Sequence, residues 1–246
     1  MAHRFYFPAP LPALDAEFSL PVEVFHHAVN VMRLRSGDAL ELFDGNGLSA
    51  TAHISFIEKK SARARLVQVQ AASVESPLHI TLAQCLSAGD KMDWTIEKAV
   101  ELGVSHIVPI FSAKSQIKLT PERAAKKLEH WRKIIVAACA QSGRNVLPTL
   151  AECMPIKQFL ANQKSSNIYK LLLHPNGAVP FKKLPTPSSG QEYTVLIGPE
   201  SGFDVSELEN AQAVGFTNTI LGPRILRTES AGLAAIACIQ AVWGDF

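Results

Sequence analysis

Three charged side chains, Glu200, Arg227 and Glu229, stand among small residues in the stretch 193–232 of this 246-residue chain. The stretch reads YTVLIGPESGFDVSELENAQAVGFTNTILGPRILRTESAG. A carboxylate in such a loop can accept a proton, position a ligand, or bond the loop's own N–H groups. A guanidinium stabilises negative charge that develops beside it. Two apolar runs, 194–197 and 217–221, each end in Gly-Pro. A buried strand followed by a small-residue loop is where open α/β sheets place ligands, just beyond the strand's carboxyl end. Either loop taken singly reads as a plain turn. Two of them close together in sequence point to one shared ligand.

The loops resemble the cofactor loops of SPOUT-class methyltransferases. More narrowly they resemble the RsmE family, which methylates N-3 of a uridine in small-subunit ribosomal RNA. Gly198-Pro199-Glu200-Ser201-Gly202-Phe203 follows that family's Gly-Pro-Glu-Gly-Gly-Phe, with Ser201 at the fourth place. The second loop, from Leu221 to Ala231, follows Leu-Gly-x-Arg-Ile-Leu-Arg-Thr-Glu-Thr-Ala, with Ser230 where Thr is usual. Both departures keep a small side chain. Other segments resemble family motifs as well: Arg4-Phe5-Tyr6-Phe7, His26 through Arg33 to Asp44-Gly45, Gly89-Asp90-Lys91-Met92-Asp93-Trp94, Glu101-Leu102-Gly103-Val104, and Gln141 to Pro148. Ala140 stands where a charged residue is often seen. The resemblance implies an α/β fold: a SPOUT-type methyltransferase domain with a C-terminal trefoil knot over residues 73–246. A small PUA-like β-barrel domain that binds RNA is expected before it, over residues 1–72. It further implies S-adenosylmethionine as cofactor, 16S rRNA of the small ribosomal subunit as substrate, and a homodimer. Nothing in the periodicity itself indicates a knot.

The adenine of such a cofactor can be held by backbone N–H and C=O groups in an apolar pocket. Gly198, Pro199, Gly202, Leu221, Gly222, Ile225 and Leu226 suit that task, because small residues let the backbone approach closely. Leu173 and His174 end another apolar run and are expected to supply a third edge, although His174 alone reads as a polar strand end. Thr228 and Ala231, where the last helix begins, and Glu200 complete the expected cofactor set. Methylating N-3 of uracil requires loss of the imide proton, and the charge spreads over the flanking carbonyl oxygens. Arg227 is the guanidinium placed to stabilise that charge. Glu200 is the second candidate catalytic residue, for positioning or proton acceptance, against a structural role in its loop. For Glu229 the simpler role is to cap the final helix. Arg4, Arg33 and Arg35 are the expected phosphate contacts.

The remaining chemistry is thin. There is no G-x-G-x-x-G and no Walker A sequence, so the usual dinucleotide and P-loop readings fail. The four cysteines, Cys85, Cys139, Cys153 and Cys238, form no CxxC pair, so buried reduced thiols are expected and a metal site is not. His26-His27 lacks further ligands at metal spacing. Net charge is only +2, which argues against a generic polyanion binder but permits a local basic face. Basic residues cluster at Arg33/Arg35, Lys59/Lys60/Arg63/Arg65, Lys114/Lys118 and Arg123/Lys126/Lys127/Arg132/Lys133; each cluster alone reads equally well as a solvated face. The N-terminus lacks the apolar core of a signal peptide, and the longest apolar run, 231–243, is too short for a bilayer. A cytoplasmic protein without membrane or metal partners is expected.

These residues need elements to hold them. Runs at 39–43, 48–57 and 62–69 alternate with period two around Asp44-Gly45-Asn46-Gly47, a tight-turn signal, and predict a small antiparallel barrel or sheet. After residue 72 the texture changes. Apolar runs at 78–86, 106–111, 168–173, 194–197 and 217–221 alternate with helical spacing at 90–102, 121–141, 155–162, 204–215 and 230–243, which predicts a mainly parallel sheet covered by helices. Thr120-Pro121 and Asp204-x-x-Glu207 are helix starts. The final helix is apolar almost all round, which fits a core helix or a subunit interface. Two other functions fit parts of the pattern: a SPOUT 2′-O-ribose methyltransferase, and a non-catalytic RNA-binding ribosome assembly factor. The intact Arg227-Thr228-Glu229 argues against the second.

Overall fold

The computed structural model describes residues 3–71, 74–115, 117, 119–163, 167–176 and 178–246. The expected boundary at 72/73 and Lys118 lie outside them. The chain divides into two compact units, Met1–Glu75 with Val136–Leu147, and Ser76–Ile135 with Pro148–Phe246.

The first unit holds β1 (His3–Tyr6), β2 (Glu17–Ser19), α1 (Val22–Phe25), a π-helical turn at His26–Val31, β3 (Ala39–Phe43), β4 (Ser49–Ile57) and β5 (Ala62–Gln70). Its sheet runs β1-β3-β4-β5-β2. Period-two alternation explains its inner face: Ala62, Ala64 and Leu66 are buried, whereas Arg63 and Arg65 between them are exposed. Leu40, Leu42, Ala52 and Ile54 meet Phe5, Phe7, Val24 and Phe25 in the core. The β3–β4 turn is fixed by the Asp44 carboxylate, which accepts from Asn46 N at 2.8 Å and Leu48 N at 3.0 Å. The sheet is antiparallel as expected, with one exception: β1 pairs parallel to β3. The connection between them, residues 7–38, is long enough to cross over, which a parallel pair requires. Within this unit the Glu75 carboxylate accepts from Asn145 N at 2.9 Å and Val146 N at 3.0 Å, and pairs with Arg144 Nε at 2.8 Å. The 141–148 motif therefore braces this unit.

The second unit contains β6 (Ile80–Cys85), α2 (Lys91–Glu101), β7 (His106–Phe111), most of α3 (Pro121–Ser142), β8 (Thr149–Leu150), β9 (Met154–Pro155), α4 (Ile156–Ala161), β10 (Ile168–Leu173), β11 (Val179–Pro180), β12 (Glu192–Ile197), α5 (Val205–Ala213), β13 (Thr217–Ile220) and α6 (Thr228–Trp243). The sheet runs β11-β13-β10-β12-β6-β7-β8, with β9 also on β7, and every pair is parallel. Alternation along β6 shows how its faces are covered. Ala83 and Cys85 join a core with Phe159 and Leu160 of α4 and Ala211 of α5. Leu82 and Gln84 face Gly232 of α6, which packs along α2. Gln240, the polar break in the apolar last helix, is fully buried. Its amide donates to Leu102 O at the end of α2 (2.9 Å) and accepts from Ser76 Oγ (2.9 Å). All four cysteines are free, and burial pushes the Cys139 thiol up to about 12. Among the described residues no helix is long and apolar enough to cross a membrane.

Candidate functional site

Strands β13, β10 and β12 lie side by side, and their carboxyl ends open into the three loops singled out from the sequence. The chain after β12 turns into α5, on the face occupied by α4; the chain after β13 turns into α6, on the opposite face. Loops that diverge to opposite faces leave a crevice at the strand ends. Here it is a cleft of about 340 Å³, within the usual range for ligand sites.

Leu173, His174, Gly198, Pro199, Glu200, Gly202, Ile225, Leu226, Arg227, Thr228 and Ala231 all line this cleft. Leu221 and Gly222 line a smaller hollow of about 80 Å³ that shares the 173–175 and 225–226 walls. The structure thus gathers the candidate cofactor residues around one crevice. Thr228 bonds the loops to one another: its hydroxyl donates to Gly198 O at 2.5 Å and accepts from the buried Gln84 Nε2 at 3.1 Å. Gly198 sits in close approach, since a Cβ there would lie 3.1 Å from the Phe203 ring, which would have to shift. Gly202 has φ +73, where a side chain is strained. His174 Nδ1 accepts from Asn176 N at 3.2 Å, the bond of a polar strand end.

The first loop is held from outside. Ser201 Oγ donates to Lys114 O at 2.9 Å, and Lys114 Nζ donates to Phe203 O at 3.2 Å. Buried Glu207 accepts from Ala113 N at 2.7 Å and closes the capping box on Asp204 N at 2.8 Å.

Charge in the cleft centres on a residue for which the sequence suggests no role. Lys91, first in α2, lines the cleft and places its ammonium 2.7 Å from Glu200 Oε1 and 3.7 Å from Glu229 Oε1. The hydrogen bond to Glu200 and the charges of both carboxylates hold Lys91 above the usual lysine range; desolvation and Arg227 pull the other way. Glu229 has only 15% of its side chain exposed, and its Oε2 has no hydrogen-bond partner among the described residues. It stands in the first turn of α6, where a carboxylate complements the helix dipole, and its one ion-pair partner among the described residues is Lys91. Arg227 is exposed, and among the described residues its guanidinium makes no hydrogen bond or ion pair. Ile197, Phe203 and Pro175 complete the walls. Of these additions Lys91 stands in the 89–94 motif, Phe203 in the 198–203 motif and Ile197 at the end of the run 194–197, but no string marks any of them as a cleft residue.

The other expected contacts lie in the first unit. Arg33 and Arg35 are exposed. Arg4 is not free: it pairs with Glu41 at 2.6 Å and donates to Asn145 Oδ1 and Arg144 O at 2.8 and 3.1 Å. Among the described residues no three His, Cys, Asp or Glu side chains gather as a metal site.

The geometry can be set beside known proteins. Residues 74–240 match a family model described as an RNA methyltransferase domain, and residues 20–67 match an RNA methyltransferase PUA domain. The chain is 34% identical over 233 residues to the ribosomal RNA small subunit methyltransferase E of Buchnera aphidicola subsp. Acyrthosiphon pisum, covering 95% of this chain and 91% of that protein. Its fold is similar to a crystal structure of a ribosomal RNA small subunit methyltransferase E from Neisseria gonorrhoeae bound to S-adenosylmethionine, with TM-score 0.92, 39% identity and full coverage of both chains. It is similar, too, to a putative methyltransferase from Legionella pneumophila in complex with the same cofactor, with TM-score 0.93, 36% identity and full coverage of both.

Proposed function

The chain belongs to the ribosomal RNA small subunit methyltransferase E family, and from that premise we propose that it methylates N-3 of a uridine in 16S rRNA with S-adenosylmethionine as donor. The observation that carries this reading is the meeting of both Gly-Pro loops around one cleft that also holds Arg227, Glu200 and Glu229.

The residues present fit the cofactor. Leu173, Ile197, Leu226 and Ala231 offer an apolar wall for adenine, and the loop backbone offers N–H and C=O groups. Leu221 and Gly222 extend that wall. The unpartnered Glu229 Oε2 is an acceptor suited to a cationic ligand. When bound, the cofactor supplies an electrophilic methyl group. The chain's own residues do the rest. Arg227 orients the uracil and stabilises the anion left when the imide proton departs. Glu200, whose Oε1 is tied to Lys91, positions that wall. In this reading α6 threads beneath the loops as the last element of a trefoil knot; its start at Thr228, bonded to Gly198 O, supports that path. A second copy covers the exposed end of α6, where Val242 is 61% exposed, and makes a homodimer. Residues 1–72 position the RNA through Arg33 and Arg35, and residues 73–246 transfer the methyl group. The enzyme works in the cytoplasm, where its substrate is found.

The test is mass spectrometry of small-subunit rRNA from a deletion strain, with calorimetry of the purified protein. A lost 3-methyluridine that returns on incubation with the protein and the cofactor is expected. A lost 2′-O-methyl nucleoside would assign a ribose methyltransferase instead, and cofactor binding without any methyl transfer would assign an assembly factor.

A further inference from the structure

We infer that Lys91 is a positioning residue that clasps the two loops of the cleft together. The inference rests on the cofactor reading of that cleft.

Lys91 belongs to neither loop. It opens α2, 109 residues before Glu200. Glu200 lies in the loop after β12, and Glu229 in the first turn of α6, after the other loop. One ammonium therefore reaches a carboxylate from each side, at 2.7 and 3.7 Å. An inner link joins the same sides, the buried Thr228 hydroxyl on Gly198 O. Lys91 is the outer link, at the cleft lining itself.

Two features separate it from an ordinary surface ion pair, which often contributes nothing measurable. First, Glu229 is mostly buried, and among the described residues Lys91 is its one ion-pair partner. Removing that partner leaves a poorly hydrated carboxylate beside a like charge, a more costly state than two solvated groups. Second, the charges balance: Lys91 and Arg227 against Glu200 and Glu229. Without Lys91 the carboxylates repel, the loops splay, and the wall becomes net negative.

These effects can be read separately. S-adenosylhomocysteine lacks the sulfonium charge, so its affinity reports loop geometry. The preference for S-adenosylmethionine over it reports charge. In Lys91→Met without ligand, amide exchange is expected to rise in residues 200–203 and 228–232 and to stay unchanged in β10. Affinity for S-adenosylhomocysteine is expected to fall about fivefold, the upper end for a partly exposed pair, and preference for S-adenosylmethionine is expected to increase. Lys91→Arg should restore both exchange and affinity. Unchanged exchange in both segments, or unchanged affinity for both ligands, would overturn the clasp. Global unfolding of Lys91→Met would overturn it too, because a clasp acts locally. If the wild-type protein binds neither ligand, the cofactor reading of the cleft falls, and the exchange measurement still judges the clasp.

Discussion

Arg227 is the N-cap residue of α6, with φ −70 and ψ 155. Its carbonyl accepts from Ser230 N and Ala231 N, bonds that any residue there could provide. Its side chain is exposed. Within this chain, then, the guanidinium is not anchoring the loop. In the proposed reaction its contribution falls in the transition state, where uracil carries more negative charge than in the bound ground state. On that proposal cofactor affinity gains nothing from it, since the sulfonium is itself positive. Arg227→Ala should keep its melting temperature and cofactor affinity and lose about 10²–10³ in single-turnover methyl transfer. Loss of all three together would make Arg227 structural. The two loops that meet at the cleft could be read from sequence because their signals are local strings. Lys91 could not be, because its partners lie more than a hundred residues away. Arg4 misled for a similar reason: it reads as a free basic residue until the parallel β1–β3 register sets it opposite Glu41.

Among the elements, the legible parts were those with caps and periodicity. Asp204 shows why. Its carboxylate accepts from Ser206 N at 3.0 Å and from Ser206 Oγ at 2.9 Å, which holds it below the usual aspartate range. A folded-state value below the unfolded one gives stability that is complete above the ordinary aspartate value and lost as pH falls through the lowered one. Asp204→Asn should therefore flatten the acid limb of the stability profile while changing neutral-pH stability less than Asp204→Ala does. An unchanged acid limb would remove Asp204 from that role. The parallel pairing of β1 was not legible, because strand direction depends on a long connection without a pattern of its own. The close seat of α6 was equally hidden. A Cβ on Gly232 would lie 2.9 Å from Leu82 Cδ1 and 3.3 Å from Ile197 Cγ1, both buried. Helix propensity favours Ala by about 1 kcal/mol, and overpacking costs about 1–3 kcal/mol. Gly232→Ala should therefore lose about 1 kcal/mol in denaturant titration; a gain would mean that the sheet yields more easily than its packing suggests.

At the scale of the whole molecule, a net charge of +2 leaves RNA affinity to local patches. Sequence placed the first unit's candidates at Arg4, Arg33 and Arg35, and structure leaves the last two exposed. Arg33 has φ +61, an uncommon conformation for a residue with a side chain. The turn is held without either guanidinium: Leu34 N donates to Ala28 O, Arg35 N to the Asp38 carboxylate at Oδ2, and Asp38 N to Arg35 O. Alanine at either position removes a guanidinium and leaves these bonds in place. It does not change the left-handed strain at Arg33, since Ala has a Cβ as well. The double variant Arg33→Ala/Arg35→Ala should therefore fold as before and keep its cofactor affinity. Its RNA affinity should fall, and the slope of log affinity against log salt should shrink by about 0.7 for each single-strand phosphate that is no longer neutralised. Lys133→Ala is the control: Lys133 lies in the second unit and pairs with Glu129 at 3.1 Å, so its removal should leave the slope unchanged. An unaltered slope in the double variant would end the division of labour between an RNA-holding first unit and a methyl-transferring second. A slope that falls instead with Lys133→Ala would move the RNA path onto α3.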